Sequence, residues 1–429
     1  MSQHCGYIVE VKELKPHTNA DKLQLATFFG ETVIVGLDTK IGDIGVYFPC
    51  DLQLSLEYCD ANDLCKKRAD GTDGAGYMDR DKRNVTAIRL RGEKSYGLYA
   101  PLSSLAFTGV DLSIFKVGDI IDTVAGISIC QKYIPRRPNR AAAGQGSHTR
   151  KKKVKSSLPY FVEHVDTPQL RYNLSMFKPG DIICLTEKVH GTSSRNGYTL
   201  SIKPQTWLQK LFHIKTSKYV DAVGTRRTLI TENNGGYYGT NAFRMEWAEK
   251  FKGKLIPGEQ VFGEIAGFYD FNAPIMAVCN NAKVNDKQFM TYYGATTTFS
   301  YGCSPTATLA PLNRYFIYRM TYTTPEGHII EYPWDVVQQR AFEMGFETVP
   351  ELERFIYTTE EDFLARINKY LDTPSCIDPH HIREGVVIRA LNAVNFKVAK
   401  EKSWNFKVLE GIVKSEAVEP DLEEAEDLL

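Results

Sequence analysis

The sequence predicts a protein of the α+β class, in which an all-β N-terminal domain precedes a larger domain of mixed strands and helices. Short β-branched and aromatic runs bounded by glycine or proline recur up to about residue 133, a pattern typical of a small all-β domain. From residue 158 onward, strand-like runs alternate with amphipathic stretches at helical spacing. A basic segment separates the two regions. We therefore place the domains at residues 1–133 and 158–413.

The N-terminal runs have the length and number expected of a small barrel. Residues 32–36 read TVIVG and residues 45–49 read GVYFP, and several similar runs follow. The OB fold closes with about five strands, which fits this pattern. We expect residues 1–133 to form an OB-like barrel that binds nucleic acid.

Two charged segments flank the larger domain. Residues 134–157, the predicted basic linker, carry eight lysines and arginines and no acidic residue. Such a segment holds phosphates electrostatically without reading sequence, and the alternative is a solubilising or nuclear-targeting linker. Residues 414–429, the predicted acidic tail, carry seven acids. Without the tail the chain is mildly basic, which allows a polyanionic partner.

Composition and cysteine usage predict an intracellular protein, cytoplasmic or nuclear. No apolar run approaches the length of a membrane span, and the N-terminus lacks the layout of a signal peptide. The nine cysteines are scattered, which favours reduced thiols over a disulfide framework. Metal-ligand spacings typical of structural zinc are absent.

Within the larger domain, apolar periodicity predicts helices over residues 241–251, 334–344 and 360–371.

A lysine stands between a buried strand and a glycine turn in residues 182–192. The apolar run IICL is followed by EKVHGT, in which Lys188 precedes Gly191. A glycine lets the backbone turn tightly, so the amine at the strand end is suited to meet a substrate in a cleft. The alternative is an ordinary surface lysine, and a short motif alone does not decide between the two.

Four further stretches follow this lysine in a fixed order. The first places a carboxylate in an apolar strand, and the second alternates aromatic residues along a strand. The third places a carboxylate before an apolar strand, and the fourth supplies cations in two similar FKV runs. Their chemistry-bearing residues are Glu264, Phe316, Tyr318, Glu384, Lys397 and Lys407.

In this order the stretches resemble the covalent nucleotidyltransferase superfamily of nucleic-acid ligases and mRNA-capping enzymes. Residues 188–191, KVHG, match its lysine motif, K-x-D/H/N-G. Together with the N-terminal region, they resemble the ATP-dependent RNA ligases that carry an N-terminal OB domain. The resemblance covers most of residues 7–410, whereas the acidic tail and parts of residues 266–312 lie outside it. It implies a nucleotidyltransferase (adenylyltransferase) domain of antiparallel sheets with flanking helices.

The resemblance implies that Lys188 attacks the α-phosphate of ATP and becomes lysyl-AMP. The AMP would then activate a 5′-phosphate, and a 3′-hydroxyl would displace it to seal two RNA ends. A divalent cation, Mg²⁺ or Mn²⁺, would be held by Glu264 and Glu384, with Glu264 also near the ribose. Nearby positive charge would favour the neutral, nucleophilic amine.

The remaining nucleotide contacts follow from the same resemblance. Beside the lysine, we expect contacts from Glu187, His190 and Gly191. Tyr318 or Phe316 would stack on adenine, while Arg195 and Arg226 would contact the nucleotide or the RNA 5′-phosphate. Lys397 and Lys407 would contact the α-phosphate. The spacing does not select Arg226 over the adjacent Arg227, and Lys400 and Lys402 lie between the two FKV runs as further candidates.

The expected partner is RNA, including nicked duplexes, with no membrane partner and with a monomeric chain. A DNA ligase and a capping-type nucleotidyltransferase are alternatives, but those enzymes typically carry their OB module after the catalytic domain. A non-catalytic nucleic-acid-binding protein with the same fold is the third alternative. The complete set of lysine, two glutamates and later lysines disfavours it.

Overall fold

The chain forms two compact units in the computed structural model, which describes residues 5–50, 52–91, 93–133, 158–202, 217–232, 235 and 237–411. The first unit comprises Met1–Gly146, Ala282–Lys287 and Lys407–Leu429. The second comprises Ser147–Asn281 and Gln288–Phe406. The predicted basic linker, residues 134–157, and the acidic tail, residues 414–429, lie outside the described residues.

The first unit is built from short antiparallel strands. Its strands are β1 (Gly6–Glu10), β2 (Leu14–Pro16), β3 (Leu23–Phe28), β4 (Glu31–Gly36), β5 (Ile44–Phe48), β6 (Leu52–Leu54), β7 (Ile88–Leu90), β8 (Glu93–Ser95), β9 (Leu98–Pro101), β10 (Ile120–Ile121), β11 (Thr123–Val124), β12 (Ile127–Ser128) and β13 (Cys130–Lys132). A four-stranded sheet has the order β10-β1-β5-β9, and a three-stranded sheet has the order β2-β3-β4. Among the described residues, strand pairing does not join these sheets into one closed barrel.

The core of the first unit lies beneath the four-stranded sheet. Ile8, Val46 and Phe48 point from it into a cluster that includes Tyr58. Tyr58 belongs to the helix Leu56–Ala61, which begins where the Ser55 side chain accepts a hydrogen bond from the Tyr58 N–H. Such a cap satisfies a backbone donor that the first helical turn leaves unpaired.

The second unit contains the longer strands. They are β14 (Ile182–Lys188), β15 (Thr192–Ile202), β16 (Ser217–Gly224), β17 (Leu229–Ile230), β18 (Glu259–Asp270), β19 (Ala273–Pro274), β20 (Cys279–Asn280), β21 (Thr296–Thr297), β22 (Asn313–Thr323), β23 (Ile329–Glu331), β24 (Glu347–Thr348), β25 (Glu351–Ile356), β26 (Gly385–Ala390) and β27 (Val398–Lys402). One sheet has the order β25-β14-β26-β27, and a larger sheet has the order β17-β16-β15-β18-β22-β23. Both are antiparallel, apart from a parallel pair between β22 and β24.

Helices flank these sheets as the apolar periodicity predicted. The helices Ala242–Phe251, Trp334–Met344 and Glu360–Asn368 confirm the three predicted ones, and the last is shorter than expected at its C-terminal end. Phe363 and Ile367 of the third helix pack on a cluster that includes Ile183 and Leu185 of β14. Because successive strand side chains point to opposite faces, this packing leaves Lys188 on the other face of the sheet.

The remaining helices of the described residues are short. They are Leu56–Ala61, Lys287–Tyr293 and Trp404–Leu409, with 3-10 turns at Leu102–Thr108, Leu112–Ile114, Leu170–Tyr172, Leu174–Met176 and Asn281–Val284. In the part of the chain that the structure describes, none of the helices has the length and hydropathy of a bilayer span.

Candidate active site

Three lysines share one face of the four-stranded sheet of the second unit, β25-β14-β26-β27. Lys188 of β14 lies opposite Gly385 of β26, which in turn lies opposite Lys402 of β27. Two residues further along β26 from Gly385, Val387 lies opposite Lys400 of β27. Residues two apart on a strand point to the same side, so this register places all three amines above one surface.

A buried carboxylate bridges two of these lysines. The Lys188 Nζ lies 2.7 Å from Glu384 Oε1, and the Lys402 Nζ lies 3.3 Å from the same oxygen. The Glu384 side chain is only 4% exposed, and that of Lys188 is 24% exposed. Burial alone would raise the pKa of Glu384, but Lys188 and Lys402 hold it well below its usual range. Glu384 is therefore an anion that anchors the nucleophile candidate.

The third lysine has little compensating charge. Burial and the nearby positive charges of Lys188 and Lys402 lower the pKa of Lys400 to about 7, against a weaker opposing effect of Glu384. An amine so perturbed gains from a neighbouring anion, which would restore its charged form. The surface above the three lysines is thus suited to bind phosphates.

The second predicted acid also faces Lys188. Glu264 lies opposite Ser193 across the β15–β18 ladder, and its Oε2 accepts a hydrogen bond of 3.3 Å from the Ser193 hydroxyl. Burial raises the pKa of Glu264 to about 7, while Lys188 lowers it and Glu384 raises it. The two carboxylates and Lys188 thus act on one another electrostatically.

The glycine of the lysine motif is required by a close approach. A Cβ at Gly191 would lie 2.3 Å from the carbonyl oxygen of Ile265 on β18, so a side chain there would displace the turn. Next to it, the buried ring of His190 lies between Phe299 and Phe406, each at 4.7 Å between ring centroids. The His190 Nδ1 lies 3.6 Å from Glu384 Oε2. The turn is therefore packed rigidly.

Glu187 does not face the nucleotide side, and the sequence prediction for it is corrected. Its fully buried carboxylate points to the opposite face of β14 from Lys188. There it accepts hydrogen bonds from the Ser375 hydroxyl, the Cys376 N–H at 2.9 Å and the Arg383 Nε at 3.2 Å. These three partners of the carboxylate come from the segment before β26, so Glu187 fixes that segment rather than binding a ligand.

The structure distinguishes the two candidate stacking residues. Phe316 is 1% exposed, with the Arg314 guanidinium 4.9 Å from its ring centroid. Tyr318 is half-buried and lies at an irregularity of the β18–β22 ladder, where the register shifts. Burial raises its pKa, and its hydroxyl lies 3.2 Å from the His164 Nδ1. Tyr318 is therefore the more accessible of the two for a base.

The two predicted arginines have different surroundings. The Arg195 side chain is 2% exposed and donates from Nε to the Thr225 carbonyl at 2.6 Å and from Nη1 to the Val162 carbonyl at 2.5 Å. Its guanidinium stacks 4.5 Å from the Phe161 ring centroid. Arg195 thus joins the segment before β14 to the residue that follows β16, which corrects its predicted ligand contact.

Arg226 remains a candidate and is favoured over Arg227. Both pair with Asp166, but the Arg227 side chain is 67% exposed and that of Arg226 is 41% exposed. The charge of Arg226 also contributes to lowering the pKa of Lys400. Arg226 is therefore electrostatically coupled to the lysine cluster.

The prediction for Lys397 is wrong in its geometry, and Lys407 lies on a different element. The Lys397 Nζ lies 2.5 Å from Asp181 Oδ2, directly before the first residue of β14. Lys188 is at the other end of that strand, about 23 Å away at the usual rise per residue. Lys407 lies in the last turn of the helix Trp404–Leu409, beyond the strand that carries Lys400 and Lys402.

His164 was not predicted from the sequence. Its ring contacts those of Phe262 and Tyr318 at 6.1 Å and 5.6 Å between centroids. Burial and the charge of Arg226, together with smaller effects of other cations that include Lys188, lower its pKa to about 3. The imidazole is therefore neutral at physiological pH. A lone histidine in an irregular segment carries no periodic signal, and only the tertiary contacts reveal its position.

The acids present fit a magnesium-type ion that is shared with a phosphate ligand. Mg²⁺ is usually bound through one or two carboxylates, substrate phosphates and waters. Glu264 and Glu384 supply two carboxylates beside Lys188. No group of three or more His, Cys, Asp or Glu side chains suited to a metal occurs in the described residues. The carboxylate pair is consistent with an ion that arrives with its nucleotide.

Comparisons with known proteins agree with this geometry. A sequence model described as RNA ligase matches residues 181–408. Among solved structures, Naegleria gruberi RNA ligase with PPi aligns with a TM-score of 0.56 at 17% identity, covering 94% of this chain and 97% of that chain. A mutant of the same ligase with ATP and Mn aligns with a TM-score of 0.56 at 17% identity, covering 95% and 98%.

An apo mutant of that ligase gives a TM-score of 0.58 at 18% identity, covering 96% of this chain and 99% of that chain. At such identities the structural matches show the fold alone. A search of curated proteins found no match.

Proposed function

The chain belongs to the RNA ligase family, and we propose that it is ATP-dependent and works through a lysyl-AMP formed on Lys188. As an RNA ligase, it is an enzyme that forms phosphodiester bonds between RNA ends. One observation carries the proposal: Lys188, Lys400 and Lys402 share a sheet face, while a single buried acid, Glu384, contacts two of them. Such a surplus of positive charge is what a triphosphate requires.

In the first step, the Lys188 amine attacks the α-phosphorus of ATP. A phosphorus–nitrogen bond forms, the bond to the β-phosphate oxygen breaks, pyrophosphate leaves and the amine proton passes to solvent. Lys400 and Lys402 stabilise the negative charge that develops on the phosphates. Glu384 holds the lysine in place at 2.7 Å, and placing a nucleophile in this way removes much of the entropic barrier.

A divalent cation, Mg²⁺ or Mn²⁺, would be held by Glu264 and Glu384 together with the phosphates. When bound, it neutralises phosphate charge and orients the leaving group. The solved Naegleria gruberi RNA ligase structures with ATP and Mn support the use of a divalent cation. The carboxylates of this chain have a second task, because Glu384 also keeps Lys188 directed toward the cluster.

Recognition of the nucleotide and RNA falls to the residues around the cluster. Tyr318 stacks on adenine, with its hydroxyl held by His164. Arg226, half exposed beside the cluster, contacts the RNA 5′-phosphate. AMP then passes from Lys188 to that phosphate, and an RNA 3′-hydroxyl attacks the activated end. AMP leaves, and the phosphodiester bond is complete.

The first unit is proposed as an OB-like module that grips the RNA next to the break. Its antiparallel sheets of short strands support this role, since OB modules hold nucleic acid through the backbone and base stacking. A chain that lacks residues 1–133 is expected to lose RNA sealing to a larger extent than self-labelling. Equal loss of both activities would contradict the role.

Self-labelling with α-labelled ATP tests the main proposal. The purified chain is incubated with labelled ATP and Mg²⁺ or Mn²⁺, and covalent label is measured after denaturation. Label released by acid but not by base marks a phosphoramidate. The absence of label with both ATP and GTP would refute the lysyl-nucleotide mechanism and favour a binding protein. Sealing of nicked duplexes with RNA or DNA at the 3′-hydroxyl side then separates RNA ligase from DNA ligase.

A further inference from the structure

The segment of residues 299–302 lies directly against the turn that follows Lys188. The Tyr301 side chain is fully buried, and its hydroxyl oxygen accepts the backbone N–H of His190 at 2.6 Å. His190 is itself buried, so this N–H has no access to bulk water. A buried backbone donor needs a partner, and here a side chain distant in sequence provides it.

Tyr301 is fixed in place from both sides. Its φ is 50°, a left-handed conformation that a bulky residue adopts only when its surroundings impose it. Asp378 accepts hydrogen bonds from the Ser300 hydroxyl and from the Gly302 N–H, at 3.0 Å for the latter. The Tyr301 ring also meets the buried ring of His381 edge-on at 4.5 Å. The position of the hydroxyl is therefore over-determined.

The same loop that holds Tyr301 also holds the residue before the nucleophile. Ser375 and Cys376 bind the carboxylate of Glu187, and Asp378 follows them by two residues. Residues 375–378 thus fix the chain before Lys188 directly and the chain after it through Tyr301. Backbone motion of the lysine-bearing turn is restrained at both of its ends.

We propose that Tyr301 is a positioning residue for the attack of Lys188 on the nucleotide, acting through the His190 N–H. This inference rests on the proposed lysyl-AMP mechanism and deepens it. Misplacing a reacting group by about 1 Å can cost about a hundredfold in rate. The contact that the hydroxyl makes is to the backbone of His190, two residues after the nucleophile. Its effect should therefore fall on the rate of the first step rather than on ATP binding.

The test compares Tyr301→Phe with Tyr315→Phe. Tyr315 is an equally buried tyrosine of the same unit, and its hydroxyl donates to the Ser194 carbonyl at 2.8 Å and accepts from the Asn196 amide at 3.1 Å. Single-turnover formation of lysyl-AMP at saturating ATP is expected to fall about tenfold in Tyr301→Phe, the cost of leaving one buried donor unpaired. The KM for ATP should stay within about twofold, and Tyr315→Phe should keep the wild-type rate. Thermal melting of both variants shows how far stability contributes.

A double-mutant comparison tests the route of the effect. Ser300→Ala removes one contact to Asp378 without touching Tyr301 or the turn, and we expect about a threefold loss of rate. If the support acts through Tyr301, the double variant Ser300→Ala/Tyr301→Phe will be no slower than Tyr301→Phe alone. Additive losses would overturn this route.

The outcomes separate the two claims. A wild-type chain that acquires no label from ATP refutes the proposed mechanism before any variant is compared. A labelled wild type with an unaffected Tyr301→Phe overturns only the positioning role. An equal loss of rate in Tyr301→Phe and Tyr315→Phe also overturns it, because that loss would follow from weakened packing in general.

Discussion

The two ends of strand β14 place lysines and acids together in opposite ways. At the first end, Lys397 makes one short ion pair with Asp181, and the carboxylate also accepts the Lys178 N–H at 2.9 Å. At the other end, Lys188 and Lys402 share Glu384, and Lys400 adds a third amine on the same face. Both ends contain a buried acid and a lysine from a neighbouring segment.

The difference lies in the balance of charge. A matched ion pair leaves nothing for a ligand to neutralise, so the first end serves the fold. The second end concentrates more positive charge than Glu384 compensates, and the pKa of Lys400 falls to about 7 as burial and the neighbouring lysines oppose its protonation. A site of this kind is stabilised by an incoming polyphosphate. Unbalanced charge, rather than the presence of lysine, identifies the functional end.

The largest expected effect comes from removing the lysine at each end. Lys188→Ala should abolish self-labelling with ATP, a loss of about 10⁴-fold or more, as expected when a covalent nucleophile is removed. Lys397→Ala, the matched control at the other end, should keep labelling within about threefold while lowering the melting temperature. Labelling that survives in Lys188→Ala and disappears in Lys397→Ala would reverse the assignment of the two ends.

Replacing the acid at each end of β14 by its amide gives the next largest effect on the labelling rate. Glu384→Gln leaves Lys188 and Lys402 without their anion and removes a proposed metal ligand, so the labelling rate should fall about a hundredfold. Asp181→Asn should instead cost about 1–3 kcal/mol in the free energy of unfolding, with little change in rate. Chemical denaturation and single-turnover labelling measure the two quantities. A comparable loss of rate in both variants would show that the ends do not differ in function.

The sequence order predicted which segments meet, but not the direction of each side chain. Lys188 and Glu264 stand on strands, and Glu384 directly precedes β26, whose first residue lies opposite Lys188. Glu187 directly precedes Lys188 on β14 and therefore points to the opposite face of the sheet. The two-residue period of a strand alone could have predicted this direction. The sequence prediction for Arg195 was wrong because the sequence alone does not distinguish an arginine that donates to backbone carbonyls from one that binds phosphate.

The later lysines illustrate a limit of spacing arguments. Two similar FKV runs suggested Lys397 and Lys407, whereas the strand that pairs with β26 begins only at Val398. A shift in where a strand begins changes which lysines share its face, and sequence-based strand boundaries are the least certain feature of such predictions. Three helices of the second unit were predictable because their periodic apolar faces extend over several turns.

The arginines beside the cluster offer a smaller and more specific comparison. Arg226→Ala should lower the rate of transfer of AMP to a 5′-phosphate RNA end about tenfold, the cost of one charge-assisted contact. The Arg227 side chain is 67% exposed. Arg227→Ala should therefore change the rate less than twofold. Transfer from preformed lysyl-AMP to RNA isolates this step. Equal effects of the two substitutions would assign the role to general positive charge.

The smallest expected effect is a pH dependence that belongs to Lys400. With a pKa of about 7 in the free protein, Lys400 loses its proton as the pH rises through neutrality. A bound triphosphate favours the charged amine, so binding above this pKa must take up a proton, and the affinity for ATP falls as the pH increases. Below the pKa the amine is already charged, and its contribution to affinity is constant.

Lys400→Arg provides the control, because arginine keeps its charge throughout this range. Glu264, whose pKa is also about 7, titrates in both proteins, so its contribution cancels when the two are compared. The ratio of the wild-type KM for ATP to that of Lys400→Arg should rise about threefold between about pH 6.5 and 7.5, as expected for one group that titrates near neutrality. A ratio that stays constant over this range would mean that Lys400 is charged in the free protein. The pKa of Lys400 would then be higher than the burial of its amine predicts. An anionic group of the protein itself would have to stabilise the charged form of this amine.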